Sequence, residues 1–202
     1  MKKIIIATSI LLLAAGCSKQ PTTVINYPTP TPTVSATPTP DAAASWQTYT
    51  SIPYSFEFQY PQDFGFNQVT NSYLSDAVVQ LEPIKNNYPG TNYADSSFGV
   101  STGFAKDASA CLVGQQTKKP LTQTKVVNGV TFYEDTYGGA AAGNFYDSTL
   151  YRTLRGNLCV EVSLTIHTAN IANFEPGTVT EIDPAKPMAV LLQMLETFKF
   201  TK

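Results

Sequence analysis

From Tyr54 to Tyr60 the chain alternates: Tyr54, Phe56, Phe58 and Tyr60 are aromatic, while Ser55, Glu57 and Gln59 are polar. A period of two describes a strand with one buried face, and Pro61 ends it. The same period runs through Phe98, Val100, Thr102 and Phe104. It is clearest at residues 158–167, where Leu158, Val160, Val162, Leu164 and Ile166 oppose Cys159, Glu161, Ser163, Thr165 and His167. Residues 78–81 and 145–154 add further strands, the second joined to residues 158–167 through Arg155-Gly156-Asn157. Asn128-Gly129, set between Val127 and Val130, is the strongest hairpin signal, because it supplies the two positive φ values of a type I′ turn. Residues 107–113 predict a short helix capped by Asp107, carrying Cys111 and stopped by Gly114. Near the end, Met188, Leu191, Leu192, Leu195 and Phe198 follow helical spacing behind an Asp183-Pro184 start, with Pro187 leaving that start ambiguous by one turn. Strands with one apolar face and a helix that must bury its stripe imply an α+β domain, a mostly antiparallel sheet with a C-terminal amphipathic helix packed on it.

The first forty-five residues follow neither period. Lys2 and Lys3 precede a short apolar run and the small residues Ala14-Ala15-Gly16, the order of a secretory signal peptide. The run is too short to span a bilayer, which needs about 20 apolar residues. Leu13 to Cys17 resembles the lipobox of bacterial lipoproteins, with Ala14 where Leu is more usual three positions before the cysteine. The resemblance implies cleavage after residue 16, a diacylglyceryl thioether on Cys17, and a membrane-lipid partner through that acylated residue. Two or more acyl chains hold a protein where one does not. Residues 17–45 then form a Pro/Thr-rich tether, nearly uncharged, whose alternating Thr-Pro favours extended spacing. Residues 46–202 form the folded domain.

The stretch Tyr54-Ser55-Phe56-Glu57-Phe58-Gln59-Tyr60-Pro61-Gln62-Asp63-Phe64 is similar to the opening of PsbP-like domains: an aromatic strand running into Tyr-Pro, with a large aromatic three residues beyond. Leu195-Glu196-Thr197-Phe198-Lys199-Phe200 looks like the close of small bacterial lipoproteins of that type. The resemblance implies an α-β-α sandwich over residues 46–200. It implies no photosynthetic role, since fold does not carry function.

Charge narrows the partners. The chain has 13 basic and 15 acidic residues; without Lys2 and Lys3 the balance is 11 against 15, a net charge of −4. There is no basic stripe, so nucleic acid is not expected as a partner, nor is direct attraction to anionic lipid headgroups. With Cys17 acylated, Cys111 and Cys159 are an even pair in an exported domain, which suggests a disulfide; the alternative is two separate buried thiols.

Chemistry is sparse. Gly138 to Gly143 reads GGAAAG, which lacks the Lys-Ser/Thr of a phosphate loop and the spacing of a dinucleotide fingerprint, and is expected as a flexible loop. His167 is the chain's one histidine and is expected as a surface or hydrogen-bonded residue, with no catalytic set around it. No cofactor or metal site is expected. Asp135 and Asp147 flank the glycine stretch with Tyr137, Asn144 and Tyr146, a rim suited to a polar ligand or sugar; its oxygens could hold calcium weakly, but their spacing matches no calcium loop. Solvated strand-end charges are the plain alternative. Two functional readings follow. One is a lipid-anchored extracytoplasmic accessory or binding module without catalytic activity, serving an envelope protein or polymer. The other is an exported hydrolase working on envelope material through a carboxylate pair such as Asp135 and Asp147.

Overall fold

The computed structural model of the chain describes residues 46–67, 74 and 76–202. The signal segment, Cys17 and the tether lie outside the described residues. Ten strands and two helices follow in order: β1 (Trp46–Ser51), β2 (Phe56–Pro61), β3 (Phe64–Asn67), β4 (Asp76–Pro83), β5 (Tyr93–Phe104), α1 (Ala108–Cys111), β6 (Thr124–Val127), β7 (Val130–Ala141), β8 (Asn144–Arg155), β9 (Leu158–Ala169), α2 (Ala185–Glu196) and β10 (Lys199–Phe200). A 3-10 turn, Ile171–Asn173, lies between β9 and α2. No helix among the described residues is long and apolar enough to cross a membrane.

Seven strands make one antiparallel sheet in the order β3-β4-β5-β9-β8-β7-β6; β1, β2 and β10 make a second, smaller one. Strand period decides what each face does. Phe98, Val100, Val160, Val162, Leu164 and Ile166 point to one face of the large sheet and are buried. There they meet Phe56 and Phe58 of β2 and Leu191, Met194 and Leu195 of α2, with Phe198 just beyond. The rings interlock: Phe58 and Phe98 lie 4.8 Å apart, Phe56 and Phe198 5.3 Å, and Phe132 stands edge-on to Phe198 at 5.4 Å. We call this the aromatic face. Phe104 shares its parity but projects past the end of the core and is exposed.

The expected α-β-α sandwich is corrected. The molecule is β-rich, α2 shares its layer with the small sheet, and among the described residues the opposite face carries the four-residue α1 and the segment around it. The physical reason lies in residues 105–123, between β5 and β6. They are rich in Lys, Gln and Thr and have no apolar period of helical length, so they cannot form a second helical layer.

The local signals are borne out. Asp107 accepts from the Ala110 amide and caps α1. Asn128 and Gly129 have φ of 47° and 81°, the I′ pattern. The Asn128 amide also donates to the carbonyls of Glu196 and Phe198, both at 2.9 Å, so this turn closes the end of α2. The start of α2 falls one residue later than expected: Pro184 is the capping residue and makes no side-chain cap bond, while Asp183 accepts from the Ala185 amide at 3.0 Å. Pro187 is harmless because it sits in the first turn, where amides have no helical partner. Cys111 and Cys159 form a disulfide with Cα atoms 5.6 Å apart, pinning α1 to β9.

Candidate functional site

The glycine stretch is not a loop. Residues 138–141 continue β7 and pair with β8, Gly138 opposite Asp147, Gly139 opposite Tyr146 and Ala141 opposite Asn144. The turn is Ala142-Gly143 alone, with φ of 49° and 79°. Gly and Ala disfavour strands, but cross-strand pairing overrides a weak local preference. The correction matters because a strand fixes which way each side chain points.

The register therefore divides the five rim residues. Asp135, Tyr137, Asn144 and Tyr146 fall on the polar face of the sheet; Asp147 falls on the aromatic face. Asp135 and Asp147 do not face each other across one cleft. Asp135 is buried, and one of its oxygens accepts from the Gln115 amide at 2.6 Å, so it fastens the segment after α1. Tyr137 stands opposite Ser148, whose hydroxyl is 2.9 Å from that of Thr165.

Asn144 and Tyr146 do come together, around His167. The imidazole Nδ1 lies 2.8 Å from Asp95 Oδ2 and Nε2 lies 2.9 Å from Asn144 Oδ1. The Tyr146 ring stacks on it, 4.4 Å between centroids and 16° between planes. Both ring nitrogens lie within hydrogen-bond distance of an oxygen, and these contacts with the stacked Tyr146 hold the ring in place. Asp95 was not legible beforehand. It is 72 residues from His167, and only the β5–β9 register brings them together.

Farther along the polar face is a second network. Arg152 Nε donates to Glu161 Oε2 at 2.7 Å, and Nη2 lies 2.7 Å from the same oxygen without hydrogen-bond alignment. Arg152 Nη1 donates to the Val113 carbonyl and Ser101 donates weakly to Glu161. Burial pushes the Glu161 carboxyl above its ordinary value, against the opposing pull of Arg152. A buried pair held this way orients the covering segment; such pairs seldom add net stability.

Asp147 lies elsewhere, at a hollow of about 500 Å³ on the aromatic face, beyond the end of α2. Its floor is open because Gly138, Gly139 and Ala140 offer almost no side chain to fill it; a methyl added to Gly138 would meet Asp147 at 3.4 Å. Phe145 and Thr168 form one wall, and Glu181, Ile182 and Pro184 the other. Asn92 ties the walls together, donating to the Ala169 carbonyl and accepting from the Ile182 amide. Asp147 and Glu181 have no hydrogen bond or ion pair among the described residues. Glu181 was missed because residues 170–184 carry no periodic signal. Among the described residues, no group of three or more His, Cys, Asp or Glu is placed to hold a metal ion.

No protein-family model matches the chain, and no curated protein matches it. Solved structures do. A crystal structure from Bacteroides thetaiotaomicron VPI-5482 aligns with TM-score 0.48 and 15% identity over 78% of this chain and 49% of the other, so the chain spans about half of that protein. The cyanobacterial PsbP protein CyanoP from Synechocystis sp. PCC 6803 aligns with TM-score 0.46 and 12% identity, over 78% of this chain and 93% of CyanoP. LpqN of Mycobacterium tuberculosis, described as involved in cell envelope biogenesis, aligns with TM-score 0.42 and 10% identity, over 78% and 92%.

Proposed function

We propose that this chain is a lipid-anchored, non-catalytic binding module on the extracytoplasmic side of a membrane, and that it takes its partner at the hollow between Asp147 and Glu181. The anchor rests on Cys17 and the residues before it. The observation that carries the binding site is the pair of unpartnered carboxylates facing one concave surface. A concave site with a few convergent polar groups is the usual form of a recognition site. Two carboxylates, with no basic residue lining the hollow among the described residues, favour a basic group on an envelope partner. A catalytic acid, by contrast, is held by buried neighbours. These two side chains are exposed and lack such support.

Two measurements test the reading. Fractionation of cells expressing Cys17→Ser is expected to release the chain or leave it unprocessed; a processed variant still held in membranes overturns the anchor. Affinity capture from the native envelope, with the anchored chain as bait, is expected to return a partner that the Asp147→Asn/Glu181→Gln variant loses. Equal capture by that variant, with its fold retained, removes the hollow as the site.

A further inference from the structure

A second cavity, separate from the hollow, lies where β1, β3 and the residues around Tyr88 meet the first three turns of α2. It encloses about 230 Å³. Trp46, Tyr88 and Tyr93 supply aromatic walls, and Asp63, Asn87 and Gln193 supply polar groups. From α2, Pro187, Val190 and Gln193 recur every third residue, so one helix face lines the cavity.

The walls are held in place. The Tyr93 hydroxyl is 2.8 Å from Ser96 Oγ, inside the protein. Tyr88 stands edge-on to Tyr93 at 4.9 Å, which fixes its ring. Burial first, then the nearby Asp63 carboxylate, push the Tyr88 phenol up, so at neutral pH its hydroxyl remains a donor. The polar groups are partly committed. Asn87 Nδ2 donates to Asp63 Oδ2 at 3.0 Å, which orients the carboxylate. The remaining Asp63 oxygen, Asn87 Oδ1 and the Gln193 amide have no partner among the described residues.

We infer that this cavity is a binding site for one ring of an uncharged oligosaccharide. Sugar rings carry weakly positive C–H faces that pack on the electron-rich faces of Trp and Tyr, and rim hydroxyls that need both donors and acceptors. Neutral amides beside a carboxylate supply both. Among the described residues no Lys, Arg or His lines the cavity, so sugars bearing carboxylate or phosphate are disfavoured. A quaternary ammonium could use the rings and Asp63, but it would leave the Asn87 and Gln193 amides without a role. The inference stands on this cavity alone and is independent of the anchor and the hollow.

Trp46 is the chain's single tryptophan, so its emission reports on this cavity. The experiment titrates the full chain carrying Cys17→Ser with chitohexaose and maltohexaose, with polygalacturonate and choline chloride as contrasts. A saturable change in Trp46 emission with at least one uncharged oligosaccharide is expected, and none with the contrasts. Tyr88→Ala and Gln193→Ala are each expected to weaken it, the former by about tenfold or more. Gln193 is a helix-surface position, so that variant stays informative should Tyr88→Ala fold poorly by circular dichroism. Asp147→Asn is expected to change nothing. The inference is overturned by no saturable change with either oligosaccharide, by binding that folded Tyr88→Ala or Gln193→Ala leaves intact, or by saturation with choline in place of sugar.

Discussion

The two faces of the seven-stranded sheet are built from the same strands and held by different physics. Beneath β2 and α2 the aromatic face is closed by packing: Phe58, Phe98, Phe132, Leu191 and Phe198 leave no exposed surface. The polar face is closed only at one end, by the segment around α1, and the closure uses specific bonds. They are the Cys111–Cys159 disulfide, the Arg152–Glu161 pair and the Gln115 amide on Asp135. Packing tolerates little loss of volume. A polar closure tolerates loss of a whole pair better than loss of half of one.

The largest effect is expected on the polar face from breaking its ion pair on one side. Glu161→Leu leaves Arg152 charged and buried, and should cost about 3–5 kcal/mol in chemical denaturation. Arg152→Met with Glu161→Leu should cost far less than that single change. A double variant as unstable as the single one would mean that the pair itself stabilises. On the aromatic face, Phe58→Ala should cost about 3–4 kcal/mol, through lost burial and a cavity that the surrounding rings cannot fill. No second substitution is expected to rescue it as cleanly.

Proton linkage separates the faces again. Burial raises the phenols of Tyr93 and Tyr151 to about 12, and both side chains lie on the aromatic side of the sheet. The folded state then holds a proton that the unfolded state releases near 10, so stability falls as pH rises from about 10 to 12. The loss should be at most about 2.7 kcal/mol for each. Tyr151→Phe should flatten that alkaline slope. On the polar face the raised Glu161 carboxyl acts at the other end of the scale. The folded state binds its proton more tightly than the unfolded one, so this group's contribution falls as pH rises from the ordinary value of 4.5. Glu161→Gln should remove that component. The smallest effect belongs to the hairpin tip that the faces share. Ala142→Asn suits the left-handed turn better and should add about 0.5 kcal/mol.

What was legible in the sequence follows the same division. The alternation of Phe56 and Phe58, and of Val160 to Ile166, exposed the aromatic face directly, since apolar periodicity is what burial writes into a chain. The helix stripe was legible around Leu191 and Leu195, although Met194, fully buried, was missed. The polar face left a weaker trace. Glu161 alternates as a solvent-facing residue would, and only its neighbour Cys159 hinted that something covers it. Residues 138–141 gave no strand signal because Gly and Ala have little side chain to bury, so their pairing was set by β8. Without that register, Asp135 and Asp147 read as neighbours on one rim, when they point to opposite sides of the sheet.

That division yields the most direct test of where this module binds. Native-envelope capture would compare the anchored wild-type chain with two folded variants: Asp147→Asn/Glu181→Gln at the hollow, and Asn144→Ala/Tyr146→Ala at the His167 cluster. The account predicts that the hollow variant loses the captured partner and that the cluster variant retains it. Loss with the cluster variant alone would place the binding surface on the polar face and contradict the account.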